Sequence, residues 1–301
     1  MSDQADRLRE MALHVKQQIE NELAAEIRPS RVIVVSSGKG GVGKSTLALN
    51  LSLSLCALGK RVILLDADMG LANIDIMLGL VPKYNIHHMI QGEKTLEDIT
   101  IAGPRDLKII PGGSGISELA NLDSVDLKKI IMELGKLDAL YDYLVIDTGA
   151  GISRNVITFL LAADDMIIVT TPEPTAVTDA YGTVKTIANQ PGQRNIYLVI
   201  NRIADANEGM QVADKFRLVC EKFLNVDIKM LGMVYNEPLV GEGIKKQQAF
   251  IDLYPRSTAA RNIHMLAANL INLHTSDDIP ADFSSGGIRK FFRKIAGLMQ
   301  Q

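Results

Sequence analysis

The sequence predicts a doubly wound α/β fold, in which one mostly parallel sheet carries helices on both faces. Two observations indicate this fold. Short apolar runs alternate with longer helical stretches from Val32 onward, and within each run the apolar residues are continuous. A strand covered on both faces needs apolar side chains on both sides, and helical connections imply right-handed parallel crossovers. We therefore expect a buried sheet between two helical layers.

The composition is that of a globular protein without a general affinity for polyanions. Of the 301 residues, 47% are hydrophobic and 22% are charged, so the chain can bury a core. A net charge of -3 gives no global positive field for nucleic acid. Cys56 and Cys220 lack the spacing of a zinc site or a disulfide scaffold, and no run approaches about 18 apolar residues. We expect a cytosolic protein without a signal peptide or a membrane span.

The first segment of the chain is polar and separate from the sheet. Leu8, Met11 and Val15 begin an apolar stripe at spacings of three and four, which predicts an amphipathic helix over residues 3–27. Pro29 ends this helix. We divide the chain into an N-terminal helical segment (1–28), a core domain (29–274), a linker (275–287) and a C-terminal amphipathic helix (288–301).

Seven continuous apolar runs in the core domain predict the strands of the sheet, and the last helix of that domain is predicted over residues 259–273. The linker is short of bulky apolar residues and contains Asp277, Asp278 and Pro280. The predicted strands are residues 32–35, 62–65, 107–110, 143–146, 166–169, 196–200 and 230–234.

A glycine-rich segment follows the first predicted strand and precedes a predicted helix over residues 47–58, which is the position of a phosphate-binding loop. Its glycines allow backbone N–H groups to converge on a phosphate, the helix N-terminus adds positive charge, and Lys44 places a cation on the terminal phosphates. Ser45 can bind Mg²⁺. The predicted nucleotide ligands are Gly38, Lys39, Gly40, Gly41, Val42, Gly43, Lys44, Ser45 and Thr46.

A second lysine, Lys39, lies inside this loop, and its side chain is expected to point outward, towards a partner or into solvent. The arrangement of the two lysines resembles the deviant Walker A loop of the MinD/ParA superfamily of P-loop NTPases. The resemblance implies a MinD-like fold, ATP and Mg²⁺ as ligands, and slow ATP hydrolysis. It also implies an ATP-bound homodimer, in which Lys39 reaches the partner's phosphates and acts like an arginine finger.

Two further motifs place carboxylates at the carboxyl edge of the predicted sheet, where open α/β folds bind ligands. Asp66 and Asp68 follow the second strand, and Asp147 precedes the glycine-containing segment 148–151. The resemblance implies that Asp66, Asp147 and Ser45 hold Mg²⁺. It also implies that Asp68 orients the attacking water and is catalytic together with Lys39 and Lys44. Segment 148–151 would respond to the γ-phosphate. Capping of the following helix is the alternative for Asp66 and Asp68.

Residues at the ends of two later strands are similar to the family's base-recognition motif. Asn201 would hydrogen-bond the adenine edge, Arg202 would stack on the ring, and Asn236 and Pro238 would form the opposite wall. Glu173 lies in a segment that resembles the family's dimer-face turn, and the resemblance implies that it contacts the nucleotide. Ordinary turn chemistry is the alternative for all of these assignments.

On a helical wheel, the last segment has an apolar arc of about 120° and a basic side without an acidic residue. This pattern favours insertion into a membrane that contains anionic lipids. We expect the ATP-bound protein to associate with the inner face of the cell membrane, because two such helices in a dimer bind with avidity. The alternative is a helix docked on the core. Both interpretations are correct if the helix is docked in the monomer and released in the dimer. The residues expected at the membrane are Ile288, Arg289, Lys290, Phe291, Phe292, Arg293, Lys294, Ile295 and Leu298.

The N-terminal segment resembles the activation motif of the FlhG family (also called YlxH or FleN), the MinD-like ATPases that determine flagellum sites. The resemblance implies activation of the GTPase FlhF, with Gln4 near that partner's nucleotide, and regulation of flagellar number and placement with basal-body C-ring proteins. A solvated amphipathic helix is the alternative. The residues that carry the motif are Asp3, Gln4, Ala5, Leu8 and Arg9.

Three other functions compete with this interpretation. A ParA-like DNA-segregation ATPase would share the core motifs, but the amphipathic C-terminal helix argues against nucleic acid as the partner. In a nitrogenase-iron-protein-like reductase, a cysteine would lie beside segment 148–151, and neither Cys56 nor Cys220 does. A scaffold that binds ATP without hydrolysing it is the non-enzymatic alternative.

Overall fold

The computed structural model describes residues 30–68, 73–112, 124–190, 195–276 and 287–299. Within these ranges the chain forms eight strands and twelve α-helices, with 3₁₀ helices at Pro104–Asp106 and Lys136–Ala139. The strands are β1 (Arg31–Ser36), β2 (Val62–Ala67), β3 (Ile101–Ala102), β4 (Lys108–Pro111), β5 (Tyr143–Thr148), β6 (Asp165–Thr170), β7 (Asn195–Ile203) and β8 (Lys229–Tyr235). The helices are α1 (Lys44–Ala57), α2 (Ile74–Leu78), α3 (Ile86–Ile90), α4 (Leu96–Ile99), α5 (Ser124–Gly135), α6 (Arg154–Ala162), α7 (Pro174–Ala188), α8 (Ala206–Leu224), α9 (Pro238–Lys245), α10 (Phe250–Leu253), α11 (Thr258–Ser276) and α12 (Gly287–Met299).

The eight strands form one sheet in the order β3-β4-β2-β5-β1-β6-β7-β8. Every neighbouring pair is parallel except β3 and β4. In this order β5 and β2 lie on one side of β1, and β6, β7 and β8 follow on its opposite side. The strand order therefore reverses at β1, and the crevice outside its carboxyl end is the place where open α/β sheets bind ligands.

Helices cover both faces of this sheet. Alternate residues of β1 enter opposite cores: Val32 and Val34 belong to one, and Ile33 and Val35 belong to the other. Buried side chains of α5, α6, α7, α8 and α12 complete the first core, and those of α1 and α11 complete the second. The strands are apolar on both sides because each side faces a helical layer.

The predicted fold class is confirmed, and all seven predicted strands are present with ends that differ by at most three residues. β3 was not predicted, because a strand of two residues is too short to show a periodic pattern. The helix predicted over 259–273 is α11, which continues to Ser276 and so includes two residues of the predicted linker. The predicted N-terminal helix lies outside the described residues.

The C-terminal helix α12 packs against the first core. The ring of Phe291 stacks on that of Phe159 in α6, with 5.9 Å between their centroids. The basic side chains of α12 remain exposed. No helix in the described ranges is long and apolar enough to cross a membrane. The buried residues of α12 are Gly287, Ile288, Phe291, Phe292, Ile295 and Ala296.

The start of α12 is fixed at the amino edge of the sheet. The Asp138 carboxylate accepts hydrogen bonds from the backbone N–H groups of Ile288 (2.7 Å) and Arg289 (3.0 Å) and so caps the helix. Gly287 approaches the chain just before β1 so closely that a Cβ would lie 1.7 Å from the carbonyl oxygen of Ser30. Only glycine fits at this position, which the sequence analysis had placed in the linker.

Candidate nucleotide site

The predicted phosphate-binding loop connects β1 to α1 at the carboxyl edge of the sheet. Gly41 and Gly43 have φ values of 80° and 92°, which residues with a Cβ rarely adopt. A Cβ on Gly38 would lie 2.1 Å from the carbonyl carbon of Asp179 in α7. The loop leads directly into a helix of 14 residues, whose N-terminus favours a bound phosphate.

Lys44 lies at the bottom of this site, beside the end of β5. Its Nζ is 2.7 Å from Oδ1 of Asp147, and the two side chains are only 7% and 0% exposed. The same nitrogen lies 3.4 Å from Oγ of Ser45. Burial raises the pKa of Asp147, and the positive charge of Lys44 opposes that rise. Residues predicted from two separate motifs, Lys44 and Ser45 in the loop and Asp147 after β5, therefore share one site.

Asp66 is buried at the end of β2 and is close enough to Asp147 for the two charges to interact. Burial, and then the charge of Asp147, raise the pKa of Asp66 to about 6. Its carboxylate accepts hydrogen bonds from the backbone N–H groups of Asp68 (3.1 Å), Asn73 (3.1 Å) and Ile74 (3.2 Å). The capping alternative is therefore realised for Asp66, which holds the start of α2 while its side chain stays at the site.

Asp68 lies further out than Asp66 and is half-buried. Its Oδ2 accepts a hydrogen bond of 3.4 Å from the side chain of Asn73. Its Oδ1 is 3.7 Å from the position that a Cβ on Gly149 would occupy. Asp68 therefore lies beside the segment that follows Asp147, which is the segment expected to respond to the γ-phosphate.

The oxygen atoms at this site suit Mg²⁺. Oδ2 of Asp147 is buried and has no hydrogen-bond partner among the residues that the structure describes, which is unusual for a carboxylate. In the same part of the chain, no cluster of three or more His, Cys, Asp or Glu side chains could hold a metal alone. Mg²⁺ in nucleotide sites is held by one or two carboxylates together with phosphates. Asp147, Ser45 and Asp66 therefore fit the ion.

Lys39, the second lysine of the loop, lies at the surface. Its Nζ is 3.2 Å from Oε2 of Glu173 and 3.1 Å from Oγ1 of Thr175, at the start of α7. The side chains of Lys39 and Glu173 are 41% and 64% exposed. The two lysines of one loop thus have different surroundings. Thr175 was not identified from the sequence, although it follows Glu173 by two positions in the same turn.

A cleft of about 280 Å³ lies next to the loop, and the predicted base-recognition residues come together there. Arg202 is exposed and has a φ of 59°. The cleft opens beside Gly43 and Thr46, so a base bound in it would be adjacent to the phosphate-binding loop. Glu173 does not line this cleft. The predicted residues that do line it are Asn201, Arg202, Asn236 and Pro238.

Two groups of predicted functional residues are not part of this site. The residues expected at the membrane belong to α12, whose apolar side is packed on the core and whose basic residues are exposed. This is the docked arrangement considered as an alternative. The residues expected to activate a partner, from Asp3 to Arg9, lie outside the described residues.

Comparisons with known proteins identify the family. A family model described as an AAA domain matches residues 30–200. The antiactivator FleN of Pseudomonas aeruginosa is 36% identical over 234 residues, which are 78% of this chain and 84% of FleN. The flagellum site-determining protein YlxH of Helicobacter pylori is 34% identical over 270 residues, which are 88% of this chain and 90% of YlxH.

Solved structures of MinD proteins share the fold. A MinC:MinD cell division protein complex from Aquifex aeolicus matches 85% of this chain and 100% of the matched chain, with a TM-score of 0.67 and 26% identity. The septum site-determining protein MinD from Pyrococcus horikoshii, complexed with Mg-ADP, matches 81% of this chain and 97% of its own, with a TM-score of 0.65 and 25% identity. The chain is therefore an ATP-hydrolysing enzyme that belongs to the MinD/ParA family of P-loop ATPases, in the FlhG group with FleN and YlxH.

Proposed function

We propose that this enzyme forms an ATP-dependent homodimer that associates with the membrane and regulates the number and placement of flagella. The observation that carries the proposal is the separation of two loop lysines, one buried beside Asp147 and the other exposed at the surface. An exposed loop lysine is accessible to a second copy of the chain. The names of two relatives, antiactivator FleN and flagellum site-determining YlxH, support the flagellar role.

In hydrolysis, Lys44 binds the terminal phosphates of the nucleotide on its own chain. Ser45, Asp66 and Asp147 would hold Mg²⁺, which neutralises charge on the phosphate oxygens. Asp68 orients the attacking water, and because phosphoryl transfer depends on positioning more than on basicity, an ordinary carboxylate is sufficient. The position of Asp68 beside Gly149 supports this role.

Lys39 makes ATP a signal for pairing. In the single chain it is held by Glu173 and Thr175, but an ion pair between exposed groups contributes at most about 1 kcal/mol. A partner's triphosphate carries more negative charge than one carboxylate and can replace Glu173. The exchange would bring the start of α7 to the dimer face, where the resemblance also places Glu173 in contact with nucleotide.

The C-terminal helix would carry the nucleotide signal to the membrane. α6 begins three residues after Gly151, and Nη2 of Arg154 at its start lies 3.5 Å from the carbonyl oxygen of Met299 in α12. A movement of the segment after Asp147 would therefore reach α12 through α6. Two released helices in a dimer would bind anionic lipid with avidity, whereas one binds weakly.

The proposal includes a role for the N-terminal segment, residues 1–28, in activating the GTPase FlhF, and cooperation with basal-body C-ring proteins. This part depends on the sequence resemblance of the motif around Gln4.

Size-exclusion chromatography with light scattering tests the pairing. The Asp68→Ala variant should retain ATP and elute as a dimer with ATP but as a monomer with ADP. Adding Lys39→Ala to this variant should leave it monomeric with ATP while it still binds nucleotide. If Asp68→Ala is a monomer under both conditions, the dimer proposal is wrong, and if the double variant still dimerises, the role of Lys39 is wrong.

A second assay separates the proposal from the DNA-segregation alternative. Wild-type protein with ATP should sediment with anionic vesicles and should not shift random DNA at near-physiological salt. DNA binding with a steep dependence on salt, without vesicle binding, would favour the alternative.

A further inference from the structure

We propose that Asn201 is a positioning residue for the phosphate-binding loop, in addition to its place in the base cleft. Its side-chain Nδ2 donates a hydrogen bond of 2.7 Å to the carbonyl oxygen of Val42 in the loop. Its Oδ1 accepts a hydrogen bond of 3.0 Å from the backbone N–H of Arg202. One amide thus joins the end of β7 to the loop that binds phosphate.

The two backbone partners fix the orientation of this amide. A carbonyl oxygen only accepts hydrogen bonds, and a backbone N–H only donates them. Rotating the Asn201 amide by half a turn would place oxygen against the Val42 oxygen and N–H against the Arg202 N–H. A single orientation therefore satisfies both partners, and the nitrogen faces the loop.

The contact controls the direction of a phosphate-binding group. In a planar trans peptide, the carbonyl of one residue and the N–H of the next point in opposite directions. Because the Val42 carbonyl points to Asn201, the N–H of Gly43 points away from it. Gly43 is the last residue before α1, and a Cβ there would lie 2.4 Å from Nδ2 of Asn201. The amide and the loop are therefore in direct contact at the turn into the helix.

This contact leaves the amide able to meet a base as well. Its nitrogen has a second N–H and its oxygen has a second lone pair. Asn201 can therefore serve the base and the loop together, and only its role for the loop would affect a ligand that has no base. The inference rests on the proposed assignment of the loop as the phosphate site.

Calorimetric titration tests the inference. It measures the binding of magnesium tripolyphosphate, a ligand without a base, and, in separate titrations, the binding of ADP and GDP. We expect Asn201→Asp to bind tripolyphosphate and ADP about tenfold more weakly than wild type, since one hydrogen bond to a buried carbonyl is lost. The ratio of ADP to GDP affinity reports the base role separately, because the same substitution also removes the N–H that would meet adenine.

Asn236→Ala is the matched control, because Asn236 lines the same cleft from the connection between β8 and α9. It should weaken ADP and leave tripolyphosphate unchanged. A urea unfolding midpoint of Asn201→Asp close to that of wild type would exclude general damage to the fold. The inference is overturned if Asn201→Asp binds tripolyphosphate as tightly as wild type, which would leave Asn201 with the base alone. Wild-type protein that binds neither tripolyphosphate nor ADP would overturn the phosphate-site assignment itself.

Discussion

Lys39 and Lys44 are five positions apart in one loop, yet their charges have different surroundings. Lys44 and Asp147 form an ion pair that is almost completely buried, whereas Lys39 and Glu173 pair at the surface. Removing one partner of a buried pair leaves an uncompensated charge in the interior. Removing one partner of an exposed pair leaves the other charge hydrated by water, at little cost. The two lysines should therefore differ in stability as well as in function.

We predict that Lys44→Met lowers the free energy of unfolding without nucleotide by about 3 kcal/mol, because Asp147 is left buried without its partner. Lys39→Met should lower it by less than about 1 kcal/mol. Urea titration of both variants measures the difference. Asp147→Asn added to Lys44→Met should restore most of the loss, and equal effects of the two single variants would contradict the buried pairing.

At this scale the sequence predicted residues that the structure brings together at the candidate site, but not how they pair. The glycines, Lys44 and Asp147 follow from local motifs, each placed after a recognisable strand. The contacts Lys39–Glu173 and Asn201–Val42 join residues that are 134 and 159 positions apart. Such contacts depend on how strands and helices are placed in the sheet, which no local pattern records.

Among the elements, α12 shows why a pattern does not determine a location. An apolar arc with a basic opposite side suits a membrane surface and a protein core equally, because both remove apolar side chains from water. In the structure this arc faces α5 and α6, and Phe291 stacks on Phe159. The cap from Asp138, 150 positions before Ile288, could not be recognised from the helix itself.

We predict that Asp138→Ala increases binding of the nucleotide-free protein to anionic vesicles by about fivefold. The docked helix loses a capping interaction that contributes about 1 kcal/mol, and the released helix does not have it. Vesicle sedimentation measures the change. Asp126→Ala is the control, since it also removes one negative charge, at a position in α5 where the carboxylate pairs with Lys129. Equal binding by the two variants would argue that α12 does not leave the core.

Across the whole molecule, the buried carboxylates at the carboxyl edge of the sheet differ in their surroundings from Asp165 at the amino edge, where burial also raises the pKa of the neighbouring Asp164. At the carboxyl edge, burial raises the pKa of Asp66 and Asp147, so these groups are held at a cost that a bound cation would relieve. At the amino edge, burial alone would raise the pKa of Asp165, but contacts from His274 and Arg31 hold it below its ordinary value. Asp165 therefore stabilises the sheet at its amino edge, whereas the candidate site residues lie at its carboxyl edge.

The architecture itself was predictable, because continuous apolar runs with helical connections admit few arrangements. The cluster around Asp165 was not. It joins the starts of β1, β6 and β7 to α11: Arg31 Nη2 lies 3.0 Å from Oδ1, Asn195 Nδ2 lies 3.2 Å from the same oxygen, and His274 Nε2 lies 3.0 Å from Oδ2. In sequence these residues are isolated. The parallel register brings the three strand residues together, and the packing of α11 adds His274.

We predict that Asp165→Asn lowers the free energy of unfolding by about 3 kcal/mol at neutral pH, because Arg31 and His274 lose the carboxylate that both contact. Since the folded pKa of Asp165 is depressed, its contribution is complete above the ordinary carboxyl pKa of about 3.9 and is lost as the pH falls towards the folded value. Denaturant titrations of both proteins between neutral and acidic pH should therefore converge below about pH 4.

Asp142→Asn provides the comparison, because Asp142 pairs with Arg61 at the surface. This substitution should lower the free energy of unfolding by about 1 kcal/mol at most. A difference between wild type and Asp165→Asn that persists unchanged into acid would show that packing, not charge, accounts for the loss. Convergence in acid, with little effect of Asp142→Asn, would place the electrostatic support of the sheet at its amino edge, on the side opposite the nucleotide.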